Sequence, residues 1–103
     1  MAKMNKMLKQ AQRMQNQLAE AQKEIQAMTR TFSVGGGAVS VTARGDHTLE
    51  SVDIKPDAVD PEDIEGLEDM LMSAVNGAME EIRSASEEKM SGLTQGFNIP
   101  GLL

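Results

Sequence analysis

The chain reads as an α+β domain in which a long helix, a three-stranded antiparallel meander and a second long helix follow one another. Three changes of period carry this reading. Apolar residues recur at intervals of three and four over the first thirty residues, at intervals of two between about residues 31 and 54, and again at three and four between about residues 61 and 91. With 103 residues the chain holds one small domain, assigned to residues 1–91, and residues 92–103 read as a flexible tail. A domain of this size buries a modest share of its surface, so a homo-oligomer is expected.

The first helix is expected over about residues 3–29. Met4, Met7, Ala11, Met14, Leu18, Ala21, Ile25 and Met28 alternate in steps of three and four, a heptad seam flanked by Gln, Lys, Ala and Glu of high helix propensity. About 27 residues make roughly 40 Å of helix, longer than so small a body needs, so part of it should project. The seam has two candidate partners, the chain's own sheet and second helix or another copy. Small Ala and pliable Met suit close helix pairing and favour another copy.

Strands are expected at about residues 31–34, 38–44 and 48–54. Thr31 to Val34 alternate, Gly35-Gly36-Gly37 interrupts, and Val39, Val41 and Ala43 fall on one face of the next segment. Gly45-Asp46 supplies turn chemistry, and Leu49, out of phase with Val52 and Ile54, implies a bulge. One face of this meander is apolar and requires a helix over it. The second helix, about residues 61–91, should start with Asp60 as N-cap and Pro61 in the first position, and end at Ser91-Gly92. Ile64, Leu67, Leu71, Ala74, Val75, Ala78, Met79 and Ile82 form its apolar face; Gly77 beside it implies close backbone packing. In the tail, Phe97, Ile99, Leu102 and Leu103 are the residues able to dock.

Composition excludes several functions. Phe32 and Phe97 are the only aromatics, too few for base-stacking platforms. Cysteine is absent, which removes disulfides, thiolate metal sites and cysteine nucleophiles and fits a reducing compartment. No segment approaches the roughly 18 apolar residues of a membrane span, so a cytoplasmic location is expected. His47, the only histidine, sits in a turn without Ser or a second His arranged around it. Glu80, Glu81, Glu87 and Glu88 lie beside Arg83 and Lys89 at helical pairing distances, which accounts for them without acid or base catalysis. Gly35-Gly36-Gly37 lacks the Lys-Ser/Thr and following helix of a phosphate loop and is read as a hairpin connection. No metal constellation appears. Catalytic residues, metal, cofactor and small-molecule substrate are accordingly none, and no enzyme is expected.

Charge is the informative feature. The net charge is -6, yet residues 1–30 carry Lys3, Lys6, Lys9, Arg13, Lys23 and Arg30 against Glu20 and Glu24, leaving +4 there and -10 elsewhere. Lys6, Lys9, Arg13, Asn16, Glu20, Lys23, Ala27 and Arg30 form a second stripe opposite the seam. Lysines near a helix N-terminus oppose the dipole, a cost that an anionic ligand reverses. Phosphates gain from the lysines and from free N–H groups together, which points to a nucleic-acid backbone. The competing reading pairs this basic start with Glu80, Glu81, Glu87 and Glu88 of the second helix, and from the residues alone the two stand level.

Taken together, MLKQAQRMQNQL (residues 7–18), GGGAVSVTARG (residues 35–45) and VDIKPDAVDPEDIEGLEDMLMSAVNGAMEEI (residues 52–82) resemble the YbaB/EbfC family of bacterial nucleoid-associated proteins over nearly the whole chain. The resemblance implies an α-β-β-β-α protomer in a homodimer with projecting, tweezer-like helical arms that bind duplex DNA with weak sequence preference. It implies Lys3, Lys6, Lys9 and Arg13 as phosphate contacts, with Lys23 and Arg30 as weaker ones, and a nucleoid-associated place in the cytoplasm. The alternative is a coiled-coil adaptor or holdase-like scaffold that grips protein clients between arms lined by Met4, Met7, Met14 and Met28.

Overall fold

The computed structural model describes residues 2–95. Its elements are α1 (Ala2–Ala27), β1 (Thr29–Val34), β2 (Val39–Arg44), β3 (Leu49–Ile54) and α2 (Ile64–Gln95), with a short 3-10 turn at Pro56–Ala58. This is the expected α-β-β-β-α order, and the sheet is an antiparallel meander β1-β2-β3. The molecule is long and thin, 75 × 23 × 16 Å, with a radius of gyration of 20.4 Å, against about 13 Å for a globular chain of this length.

Register sorts the sheet into two faces. Phe32 opposes Val41 and Val34 opposes Val39 in one ladder, while Val41 opposes Val52 and Val39 opposes Ile54 in the other. These side chains share one face, which α2 covers over β1 and β2, and Val39, Val41 and Ala43 are fully buried beneath Ala74, Ala78 and Ile82. The other face is polar: Thr31 and Thr42 share a hydroxyl hydrogen bond of 2.8 Å, Ser33 and Ser40 one of 2.7 Å. The expected bulge is present. Thr42 opposes Ser51 but Ala43 opposes Leu49, so Glu50 is the extra residue and Leu49 is restored to the apolar face.

Glycine sets the spacing of the layers. A Cβ on Gly77 would stand 2.2 Å from Cδ1 of Phe32, so the ring lies directly on the bare helix backbone. In the β1–β2 connection Gly35, Gly36 and Gly37 have φ of 61°, 67° and 94°, a left-handed run that side chains oppose.

Three boundaries differ from expectation. α1 ends at Ala27 rather than near residue 29, because Thr29 and Arg30 already pair with Arg44 and Ala43 in the sheet. α2 starts at Ile64, not at residue 61: Asp60 accepts the Glu62 N–H at 3.0 Å in a turn of its own, and Asp63 is the cap, accepting the Gly66 N–H at 3.1 Å. At the other end α2 continues through Ser91-Gly92 to Gln95. The rest of the tail, with Phe97, Ile99, Leu102 and Leu103, lies outside the described residues.

The β2–β3 turn places His47 at φ 68°. Its neighbour Asp46 accepts the Thr48 N–H at 3.0 Å and the Thr48 hydroxyl. The hydroxyl hydrogen bond, foremost, holds the Asp46 carboxyl below its ordinary range.

Replacing Gly77 by Ala should destabilise the fold by about 1–2 kcal/mol in urea unfolding, since the clash with Phe32 outweighs a gain of about 1 kcal/mol in helix propensity. His47→Gly should stabilise it by about 1 kcal/mol in the same measurement by relieving the left-handed backbone.

Candidate nucleic-acid interface

The basic residues occupy α1, and α1 divides into two halves. α1 and α2 run antiparallel, with Lys89 Nζ donating to the Glu24 carboxylate at 2.6 Å and Gly92 and Leu93 lining an open cleft with Gln17 and Ala21. In this lower half Ala21 is buried, and Leu18, Ile25 and Met28 are half-buried. The lower seam is therefore packed within the chain itself. In the upper half Met14 is half-buried and Ala11 exposed, while Met4 and Met7 are 69% and 68% exposed. Leu8, which belongs to neither stripe, is also 61% exposed.

The cations follow the same division. Lys3, Lys6, Lys9 and Arg13 all lie in the upper half, and the first nineteen residues contain no acid. Lys6, Lys9 and Arg13 are exposed and make no ion pair among the described residues. Lys23 is exposed on the lower half of the helix. Arg30 leaves the stripe altogether: it stands in β1, where its guanidinium donates to the Thr29 carbonyl at 2.8 Å. The physical reason is the early end of α1, which converts the last repeat of the expected stripe into strand.

The acids that competed for these lysines are engaged elsewhere or distant. Arg83 binds Glu80 and Glu87, both at 2.5 Å, within α2. The hydrogen bond from Arg83 is the first cause of the lowered Glu80 carboxyl, and Glu80 in turn raises the Arg83 guanidinium. Antiparallel packing settles the rest. Lys89 meets Glu24, so the α2 acids before it run alongside the C-terminal end of α1 and the body. Lys9 is fifteen residues up the helix from Glu24, roughly 22 Å, beyond the ~8 Å over which charge is felt in physiological salt.

A second charged region lies at the opposite pole. Residues 53–69 contain eight acids and Lys55, and they occupy the end of the sheet away from the arm, where Met70 Sδ sits over Gly35. The molecule is a rod with a basic tip and an acidic foot. Sequence reasoning placed Lys89 among the local pairs of α2 and missed its partner; Lys89 and Glu24 are too far apart in the chain for any local pattern to join them.

Among the described residues no group of His, Asp or Glu is arranged to hold a metal ion, and no helix is long and apolar enough to cross a membrane. A chemistry available to the upper half of α1 is charge-assisted contact with an extended anion.

The model of the YbaB/EbfC DNA-binding family matches residues 1–97. A nucleoid-associated protein of Clostridium acetobutylicum is 46% identical over 99 residues, covering 96% of this chain and 88% of that one. One from Desulforamulus reducens is also 46% identical over 99 residues, with 96% and 94% covered. Among solved structures, an uncharacterised protein of Helicobacter pylori superposes with a TM-score of 0.62 at 25% identity, covering 88% of this chain and 91% of the other.

Since Lys6, Lys9 and Arg13 support nothing within the chain, replacing all three by Gln should change its unfolding free energy by no more than about 0.5 kcal/mol, as read by thermal and urea melts.

Proposed function

Because the chain belongs to the YbaB/EbfC DNA-binding family, we propose that it is a nucleoid-associated protein whose homodimer holds duplex DNA through the basic upper halves of its two α1 helices. The observation that carries this reading is the set Lys6, Lys9 and Arg13, exposed and unpaired among the described residues, and about 16 Å or more along the helix from Glu24, where α1 meets α2. Lys3 extends the set by one turn, and Lys23 adds a contact lower on the arm. Arg30, on the sheet, contributes only where DNA reaches the body. Lysine and arginine contacts to phosphate position a protein without reading bases, so weak sequence preference follows. Binding of this kind, spread over the chromosome, affects nucleoid organisation and gene expression.

Surface area supports a second copy. The chain exposes 7873 Å², where a folded monomer of this size ordinarily exposes about 5,700 Å². The excess of about 2,000 Å² is of the order buried in an obligate dimer. α2 packs over β1 and β2 and leaves β3 aside, so Leu49 and Val52 stand uncovered on the apolar face, and Ile64 and Met72 are exposed on α2. A second copy over this part of the body closes the core and sets two arms side by side.

The competing adaptor or holdase reading draws on the exposed Met4, Met7 and Leu8. A gel shift with random-sequence duplex DNA at two salt concentrations separates the two.

The affinity for such DNA should fall with salt at a log-log slope of about -0.9 per phosphate contacted. Reversing charge at Lys6, Lys9 and Arg13 should flatten that slope; an unaltered slope would place the contacts elsewhere. Val52→Glu should convert a dimer to a monomer in sedimentation equilibrium, because a carboxylate cannot be buried unpaired in the interface.

A further inference from the structure

α1 leaves the body at one point. Gly45, the first residue of the β2–β3 turn, lies against the last turn of the helix. A Cβ there would stand 1.6 Å from the Ile25 carbonyl oxygen and 2.6 Å from its carbon, and the Gly45 N–H donates to the Met28 carbonyl at 2.9 Å. Gly45 is not among the glycines with positive φ. Its missing side chain therefore serves this packing and not the turn. One residue before Ile25 a second contact holds the same turn of α1 from the side of α2: Lys89 Nζ reaches Glu24 at 2.6 Å, with the buried Ala21 one turn away.

Two contacts from different elements, the β2–β3 turn and α2, grip the same turn at the base of a stiff rod, and the seating of that turn sets the direction in which the rod leaves the body. The root at Gly45 and the collar at Glu24–Lys89 both precede the upper half of the arm, where Lys6, Lys9 and Arg13 have nothing to hold them. Lys9 is about 24 Å along the helix from Ile25, so a small displacement at the root is amplified at the cations. The collar is the softer restraint, an ion pair with side chains 37% and 59% exposed. The root is rigid, because backbone meets backbone.

We infer that Gly45 and the Glu24–Lys89 pair are positioning residues that set the angle of the α1 arm, and with it the gap that two arms present to duplex DNA. The inference rests on the homodimer proposed above. Its distinguishing signature is a loss of affinity without a loss of phosphate contacts, since the cations remain and only their placement changes.

The chain contains no cysteine, so Gln10→Cys, at an exposed position, introduces one spin label per protomer. Pulsed dipolar spectroscopy then measures the gap between arms in the full-length protein. In this background Gly45→Ala should move the interspin distance by about 5 Å and weaken binding of a random-sequence duplex about fivefold, with the salt slope kept. An unchanged distance in folded G45A overturns the inference. Absence of dipolar coupling in the labelled parent, with DNA binding intact, overturns the homodimer instead and the inference with it. Should G45A fail to fold by circular dichroism, Lys89→Met decides. A broadened distance distribution supports the collar as a restraint on the arm; a distribution equal to the parent's overturns it.

Discussion

The ring of Phe32 rests on the bare backbone of Gly77, and the rest of the molecule depends on how close that contact lets α2 come to the sheet. Ala74 and Ala78 flank the glycine on the same face and are fully buried over Val39, Val41 and Ala43. A core built from Gly, Ala and Val is thin. It gains its stability from close approach of helix and sheet rather than from bulk, since dispersion is lost quickly with a small gap. The same thinness limits how much α2 can cover, and β3 is left with Leu49 and Val52 uncovered. That uncovered apolar strip is the physical argument for the second copy proposed above.

α2 serves two layers along its length. Its first half roofs the sheet, and its second half passes beyond the sheet and meets α1, where Lys89 binds Glu24. Continuity of one helix thus couples the body to the arm, and the arm inherits its orientation from the core. Ser91-Gly92, which propensity would choose as a stop, is carried within the helix. Gly92 faces open space, so it weakens the helix locally without interrupting it.

In the proposed function, the distribution of charge gives this geometry its use. Acids are concentrated at the foot, where Asp60 and Asp63 organise the entry to α2, or are paired within α2 by Arg83. Cations at the tip stand more than two Debye lengths from the collar. A chain of net charge -6 can attract a polyanion because the attraction is local and the repulsion is screened. Long helices provide that separation with few residues, each adding about 1.5 Å.

Much of this was legible in the amino-acid sequence. The 3,4 spacing from Met4 to Met28, the alternation around Val39, Val41 and Ala43, the bulge beside Leu49 and the close packing at Gly77 are local patterns, and local patterns survive because periodicity dictates which side chains share a face. The cations of residues 3–13 were equally plain. What the sequence alone left open was ownership. The lower seam could have belonged to another copy, but Ala21, Ile25 and Met28 are packed within the chain; the acids of α2 could have met Lys6 and Lys9, but antiparallel packing sets them beside the far end of α1. Asp60 looked like the cap, and Asp63 holds that place. Arg30 looked helical until pairing with β2 drew it into the sheet. Each of these turned on which distant segments meet, and in what register. That choice is made by the burial of the whole core, a sum over contacts between residues far apart in the chain, and no window of neighbouring residues contains it.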